Sequence, residues 1–369
     1  ADYEMDPNVV NSPTYGPTIS NDLRSIPTLS LVSEHFGLWH SSTGIYPNAV
    51  NAGELWERAA SAELILPEGT NGATGFALNC GLRMQGNASR DNNRLAKHSF
   101  RLRFSSDYGP SKLRYAWFPD TDVEEFDNVV LRACFTDSWA TRYSDQTIIP
   151  GGKGTRYRPE DSIYLRDVWM KDAHLAMGGH SARNTFVHLY VNGLYWGLYN
   201  PCERMDASHF AHYFGGREMD WDVLAGDAVY DYAELKDGTK DAWNQLMALV
   251  NAGITNEVAY QAVQRHVDVD QLIDFMLLHF HAEAEDWPFH NWYVARRRPT
   301  NDVPATKWIL SVWDQEIVCD QLVPRNRIEV NNPDTPARIY GQLRAWPEFR
   351  VRFGDRVQRH LFHGGALVP

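Results

Sequence analysis

Cysteine is scarce in this chain: four in 369 residues, Cys80, Cys134, Cys202 and Cys319, scattered and without a Cys-x-x-Cys pair. That argues against a cysteine-built zinc site and leaves room for at most two disulfides, whose pairing the sequence does not assign. No apolar run is long enough to span a bilayer, so no transmembrane segment is expected. A long basic run is also missing, and the formal net charge is −12. Binding to a nucleic-acid backbone needs concentrated Lys and Arg, so a nucleic-acid partner is not expected, and an anionic nucleotide would need its own local basic pocket. Neither a Gly-x-Ser-x-Gly elbow nor a Gly-x-x-x-x-Gly-Lys-Ser/Thr loop is present. The opening, ADYEMDPNVV, has no basic start and no apolar signal core, and reads as the start of a mature form or an excised segment.

What is present is ordinary in bulk, with 43% hydrophobic and 22% charged residues. The length suits one large domain or two modest ones. Thirteen Trp and seventeen Tyr fit an aromatic-rich core, with carbohydrate handling as the alternative. Residues 1–30, rich in Pro, Asn, Ser and Thr, are expected to be extended. Strand patterns follow in IPTLSLVSE, ASAELILP, FALNCGLRMQG, KHSFRLRF and FDNVVLRAC. In KHSFRLRF, Phe100, Leu102 and Phe104 alternate with Arg101 and Arg103, giving one apolar and one cationic face. EDSIYLRDVWMKDAHLAMGG has helical spacing and a Gly-Gly stop. NTFVHLYVNGLYWGLYNPCER reads as a hairpin around Asn192-Gly193, a favoured tight-turn pair. From about residue 239 the helical period takes over in DAWNQLMALVNAG, EVAYQAVQRHV, DVDQLIDFMLLHFHAEAE and PARIYGQLRAWPEFRVRFGDRVQRHLF. A β-rich first part and a helix-rich second part predict an α+β, two-lobed fold.

Two late segments carry candidate chemistry. HFHAEAEDWPFHNWYVARRR holds Asp286 and Asn291, and KWILSVWDQEIV holds Asp314 and Glu316. Asp-x-x-x-x-Asn is the spacing with which protein kinases place a catalytic acid and a metal ligand on one loop, although Asp and Asn are common enough that spacing alone decides nothing. Pro288 disfavours helix at Trp287, which places Asp286 at a helix end or in a loop. On a strand, positions 314 and 316 face the same side, where both carboxylates would reach one Mg²⁺. The plainer alternatives are an exposed acid beside Glu283 and Glu285, and two acids capping a solvated strand end. Lys97, Arg101 and Arg83 offer cations for phosphate, with Lys97 the first choice and Arg101 the second, against the alternative of a cationic solvent face. The turn Gly86-Asn87-Ala88-Ser89 offers backbone N–H groups to phosphate, and also reads as an N-glycosylation acceptor in a secretory host. His279 and His281, two apart on a helix, face different ways and do not form a shared zinc site.

These motifs occur in the order of one family. LRMQGNASR followed by AKHSFRLRF, then FVHLYVNGLYWGLYNPCERMD, EDWPFHNW and KWILSVWDQE resemble the spore-coat protein H (CotH) kinase-like family, an atypical kinase fold. The hairpin motif is the most specific of them. The resemblance runs from about residue 75 to the end, with residues 1–75 as a β-rich extension like those of large secreted bacterial proteins. It divides residues 76–369 into a β-rich lobe, 76–205, and a helical lobe, 206–369. It implies ATP- and Mg²⁺-dependent phosphoryl transfer to Ser or Thr of a secreted or envelope protein of a bacterium. Asp286 would be the catalytic-loop acid, and Asn291 and Asp314 metal ligands with Glu316 as the second acid. Glu203, leaving the hairpin, would line the adenine edge. The chain departs from the family in having Gln85 where Arg precedes Gly-Asn-Ser, and Glu316 where a second Asp is usual. A pseudokinase or adhesion module that kept the fold without turnover, a carbohydrate-binding surface module, and transfer of AMP in place of phosphate remain open alternatives.

Overall fold

The structure, a computed structural model, describes residues 5–70, 73–141, 162–227, 231–319 and 326–368. The chain divides into two compact units, Ala1–Tyr143 with Arg183–Arg204, and Ser144–Ala182 with Met205–Pro369.

The first unit opens with two short helices, α1 (Pro7–Val10) and α2 (Ile19–Asp22), where extended chain was expected. The reason at α1 is local: the Asp6 carboxylate accepts the Asn8 N–H at 2.8 Å, and Pro7 occupies the first helical position, where its missing N–H costs nothing. There follow β1 (Thr28–Ser33), α3 (His35–Trp39), β2 (Arg58–Ile65), β3 (Ala77–Gln85), β4 (Ser99–Arg103), the paired two-residue strands β5 (Leu113–Arg114) and β6 (Glu125–Phe126), β7 (Asn128–Arg132), β8 (Val187–Val191) and β9 (Leu194–Glu203). Seven of these close a barrel in the order β1-β2-β3-β4-β7-β9-β8, antiparallel throughout except where β8 meets β1 in parallel. The boundary expected at residue 75 falls between β2 and β3, two paired staves of this barrel, so the N-terminal residues build it together with the later strands. The alternation read in β4 holds: Phe100 and Leu102 are wholly buried, while Arg101 and Arg103 are half-buried.

Asn192 and Gly193 both have positive φ, +50° and +82°, as a type I′ turn requires. The Asn192 amide also accepts the Ser33 N–H at 2.9 Å and donates to the Ser33 carbonyl at 3.0 Å, fastening the hairpin tip to the end of β1. A second fastening is Glu57, a buried carboxylate that accepts from Arg103 at 3.0 Å, from the Tyr108 hydroxyl at 2.9 Å, and from Arg83. Burial pushes its pKa up, but the hydrogen bonds from Arg83 and Tyr108 and the two guanidinium charges outweigh burial and hold it below the usual range.

The second unit contains α4 (Arg166–Ala176), α5 (Ala207–Phe214), β10 (Trp221–Asp227), β11 (Asp231–Asp237), α6 (Asp241–Asn251), α7 (Glu257–Gln264), α8 (Val269–His281), β12 (Trp292–Arg297), β13 (Ile309–Val312), α9 (Pro336–Leu343) and α10 (Pro347–Leu361). It is not purely helical: an antiparallel sheet ordered β11-β10-β12-β13 lies within it. The helical run expected after the Trp-Asp-Gln-Glu segment breaks into α9 and α10, because Pro347 takes the first position of a new helix and bars helical backbone at Trp346. α8 is buried from Leu272 to His279, and its wholly buried Asp274 is clamped by α10. Arg356 donates to Asp274 at 2.7 Å, and His360 sits 3.0 Å from the same oxygen. The described residues thus form a mixed fold of helices and sheets that includes a seven-stranded barrel. None of the four cysteines is in a disulfide, and no described helix is long and apolar enough to cross a membrane.

Candidate active site

The two acidic segments converge in the second unit at one end of its sheet. α8 stops at His281, short of the expected Glu285, because Glu283 turns to φ +52° and the Ala284 N–H returns to the His279 carbonyl at 3.0 Å. The chain then pairs with the later segment: Glu285 N–H donates to the Ile317 carbonyl at 3.0 Å, and Cys319 N–H to that of Ala282 at 2.7 Å. Asp286 follows, half-buried in a loop that contains the cis peptide Trp287–Pro288. The loop is anchored by Trp287, wholly buried and stacked on the His279 ring at 4.3 Å, and by Trp292, whose indole N–H donates to the Pro288 carbonyl at 2.9 Å.

Asn291 closes the loop at φ +70°, a left-handed conformation that Asn tolerates better than most residues. Its amide nitrogen donates to the Asp286 carbonyl at 3.0 Å and to the Asp286 carboxylate at 3.3 Å. The five-residue spacing is therefore realised as a contact. Trp292 pairs with Val312 across β12 and β13, so Asn291 and Trp313 leave the same end of that strand pair.

Asp314 and Glu316 do not share a strand face, contrary to expectation. β13 ends at Val312, Asp314 lies at φ +54°, and the Glu316 N–H turns back to the Asp314 carbonyl at 3.0 Å. The intervening Gln315 N–H, which a ladder would have used, donates instead to the Asp167 carboxylate on α4 at 2.8 Å. The Gln315 side-chain amide donates to the Asn291 carbonyl at 2.7 Å, tying the two acidic segments together. Asp314 is half-buried and Glu316 is buried. Asp167 also receives the ammonium of Lys171 at 2.6 Å, and both are buried. Asp167, Lys171 and Gln315 were not read from the sequence as site residues. The available signal was an Asp and a Lys four apart on a predicted helix, a spacing that permits an ion pair.

His279 and His281 part as expected: His279 is wholly buried, with Nδ1 2.7 Å from the Phe275 carbonyl, and His281 is exposed. Buried His174 on α4 has its Nδ1 3.0 Å from the Ser181 hydroxyl. Burial pushes His174 down to about 4 and His279 down to about 3.

The other candidates belong to the barrel unit. The Lys97 ammonium donates to the Leu198 carbonyl at 2.5 Å and lies 4.5 Å from the centre of the Tyr199 ring; burial pushes it down to about 8. Arg83 is ion-paired with Glu57, and Arg101 stands opposite Arg83 across β3 and β4. Glu203 is buried, accepts the Arg183 N–H at 2.7 Å and donates its own N–H to the Arg183 carbonyl at 3.0 Å, which fixes the end of β9. The Gly86–Ser89 turn is held by buried His98, whose ring contacts the Ser89 carbonyl at 3.0 Å and the Asn92 amide oxygen at 2.6 Å. Glu57 and His98, both missed in the sequence, are the residues that organise this region.

An asparagine-fastened loop acid and a turn bearing two more carboxylates thus leave the same end of the β12–β13 pair, joined through Gln315. The family model described as CotH kinase protein matches residues 158–363, more than half of the chain. The chain belongs to the CotH kinase family. The match takes in Glu203, Asp286, Asn291, Asp314 and Glu316, and begins after the segment with Arg83, Lys97 and Arg101, where the resemblance had been traced from about residue 75. No curated protein matches the sequence.

Proposed function

We propose that this chain is an atypical protein kinase that uses ATP and Mg²⁺ to phosphorylate Ser or Thr of a secreted or envelope protein in a bacterium. The observation that carries the reading is the joining of Asp286–Asn291 to Asp314–Glu316 through the Gln315 side chain, within a chain of the CotH kinase family. In this reading the barrel unit and the helix-rich unit correspond to the two lobes of a kinase-like fold.

Asp286 orients the acceptor hydroxyl and takes its proton as the oxygen bonds to the γ-phosphorus and the bond to the β-phosphate oxygen breaks, releasing ADP. Asn291 holds Asp286 by its amide nitrogen and keeps its amide oxygen as the donor for a metal. Asp314, with Glu316, would hold Mg²⁺, which when bound neutralises charge on the phosphate oxygens. The fit is that of a shared site. Among the described residues no three His, Cys, Asp or Glu side chains converge to cage a metal, and Mg²⁺ characteristically takes one or two carboxylates and completes its shell with phosphate oxygens and water. Lys97 and Arg101 are the proposed phosphate cations and Glu203 the residue at the adenine edge, while Arg83 already serves Glu57.

That commitment of Arg83, with the Lys97 ammonium turned to a backbone carbonyl, favours one second reading: a pseudokinase or adhesion module that keeps the fold without turnover. Incubation with Mg²⁺ and ATP labelled separately at the γ- and α-phosphate separates the two. Label moving from the γ position to protein supports the kinase; label from the α position makes it an AMP-transferase; ATP bound without transfer supports the pseudokinase.

A further inference from the structure

We infer that the buried Asp167–Lys171 ion pair of α4 is a positioning device for Asp314, clamping the residue on each side of it and, through Gln315 and Asn291, setting it against Asp286. The inference rests on the phosphotransferase reading for what the device serves. On one side of Asp314, the Lys171 ammonium lies 5.0 Å from the centre of the Trp313 ring, a cation–π distance. On the other, Asp167 accepts the Gln315 N–H at 2.8 Å. Between these two grips Asp314 is held at φ +54°, in the left-handed region that Asp enters more readily than most side chains and that takes the chain out of the strand. The connection then continues without a gap. The Gln315 side chain donates to the Asn291 carbonyl, and the Asn291 side chain donates to both the carbonyl and the carboxylate of Asp286.

A buried ion pair is a weak source of net stability, since well-packed apolar residues of similar volume usually serve as well. What an apolar pair cannot supply is an acceptor for the Gln315 N–H. The charges hold Asp167 in place and the Asp167 carboxylate oxygen holds the turn. Asp167 and Lys171 are positioning residues and touch no reacting atom.

Two double variants separate these roles. Asp167→Leu/Lys171→Met removes both charges of the pair together and deprives Gln315 of its acceptor. Asp167→Asn/Lys171→Met also removes both charges but keeps an oxygen for Gln315. With γ-labelled ATP, the Leu/Met variant is expected to need about tenfold more Mg²⁺ for half-maximal transfer and to exchange the Gln315 amide hydrogen about tenfold faster, the equilibrium equivalent of one orphaned buried donor. The Asn/Met variant is expected to recover both. A folded Leu/Met variant with wild-type Mg²⁺ dependence and wild-type amide protection overturns the device while leaving the kinase reading in place. A wild type that transfers no label but shows the expected amide pattern keeps the device and removes the kinase reading; one with neither removes both. If the Leu/Met variant does not fold, Gln315→Leu, which cuts only the link to Asn291, carries the test: the same Mg²⁺ shift is expected, and its absence overturns the inference.

Discussion

Mild acid will loosen the second unit through two histidines that the fold holds neutral. His174 and His279 are wholly buried, and burial lowers them from 6.5 to about 4 and about 3. For His279 the hydrogen bond to the Phe275 carbonyl opposes that shift and the neighbouring His174 adds to it. Between the ordinary value and the depressed ones, the unfolded chain carries protons that the folded chain refuses. Stability therefore rises with pH in that window, falls as pH drops through it, and stops falling below the folded values. Each histidine contributes a slope approaching 1.4 kcal/mol per pH unit once its unfolded ring is charged, so acidification from about pH 6.5, where that ring is half charged, to 5 costs about 1.6 kcal/mol per residue and about 3 kcal/mol together. For a unit of this size that lowers its melting temperature by roughly 10 °C. The assay is urea unfolding followed by Trp fluorescence at half-unit pH steps, comparing wild type with His279→Gln and His174→Asn. Each variant loses stability at neutral pH, but its slope flattens by about 1.4 kcal/mol per pH unit, because one refused proton is gone. Other histidines and carboxylates contribute equally to all three chains and cancel. Variants whose slopes match the wild type would refute the assignment of these rings as the acid-sensitive pair.

Two further perturbations test the fastenings of each unit. Asn192→Gly keeps the positive φ of the hairpin turn and loses both hydrogen bonds to Ser33, whereas Asn192→Ala also strains the backbone. The Gly variant should cost about 1–2 kcal/mol and the Ala variant about 1 kcal/mol more, read from denaturant midpoints. Arg356→Met leaves the wholly buried Asp274 carboxylate with His360 as its remaining ring partner and should cost about 3 kcal/mol, while Asp274→Leu/Arg356→Met should recover part of it; equal losses in the two would show that packing, not charge, is what Arg356 supplies.

The barrel strand β4 was legible because it buries one face, so that Phe100 and Leu102 alternate with Arg101 and Arg103, and β7 because its apolar run is buried on both faces. The hairpin was legible because Asn-Gly is suited to two successive positive φ values. Of the sheet of the second unit only the strand in KWILSVWDQE, β13, was legible, and β10 shows why the rest was not: Trp221 through Ala225 are all buried, so a period of two never appears, and Asp222 within that run is ion-paired with Arg298, remote in sequence. In the candidate site the acidic segments could be found by spacing, and the contact of Asn291 with Asp286 is local enough for spacing to imply it. The turn at Asp314 could not be found. It looks like the end of a strand until Asp167, 148 positions earlier, takes the Gln315 N–H and draws the chain out of the ladder. The cationic strands illustrate the same limit, since nothing near Arg83 in sequence announces that Glu57 claims it.

The most direct test of the account is γ-phosphate transfer by wild type, Asp286→Asn and Asp314→Asn at saturating Mg²⁺ and ATP, with thermal melts of the same samples. Both substitutions preserve shape, and Asn suits the left-handed backbone at Asp314 as it does at Asn291. The account predicts transfer by the wild type, a loss of about a hundredfold or more in each variant, and melting temperatures little changed. Folded variants that transfer phosphate at the wild-type rate would contradict it.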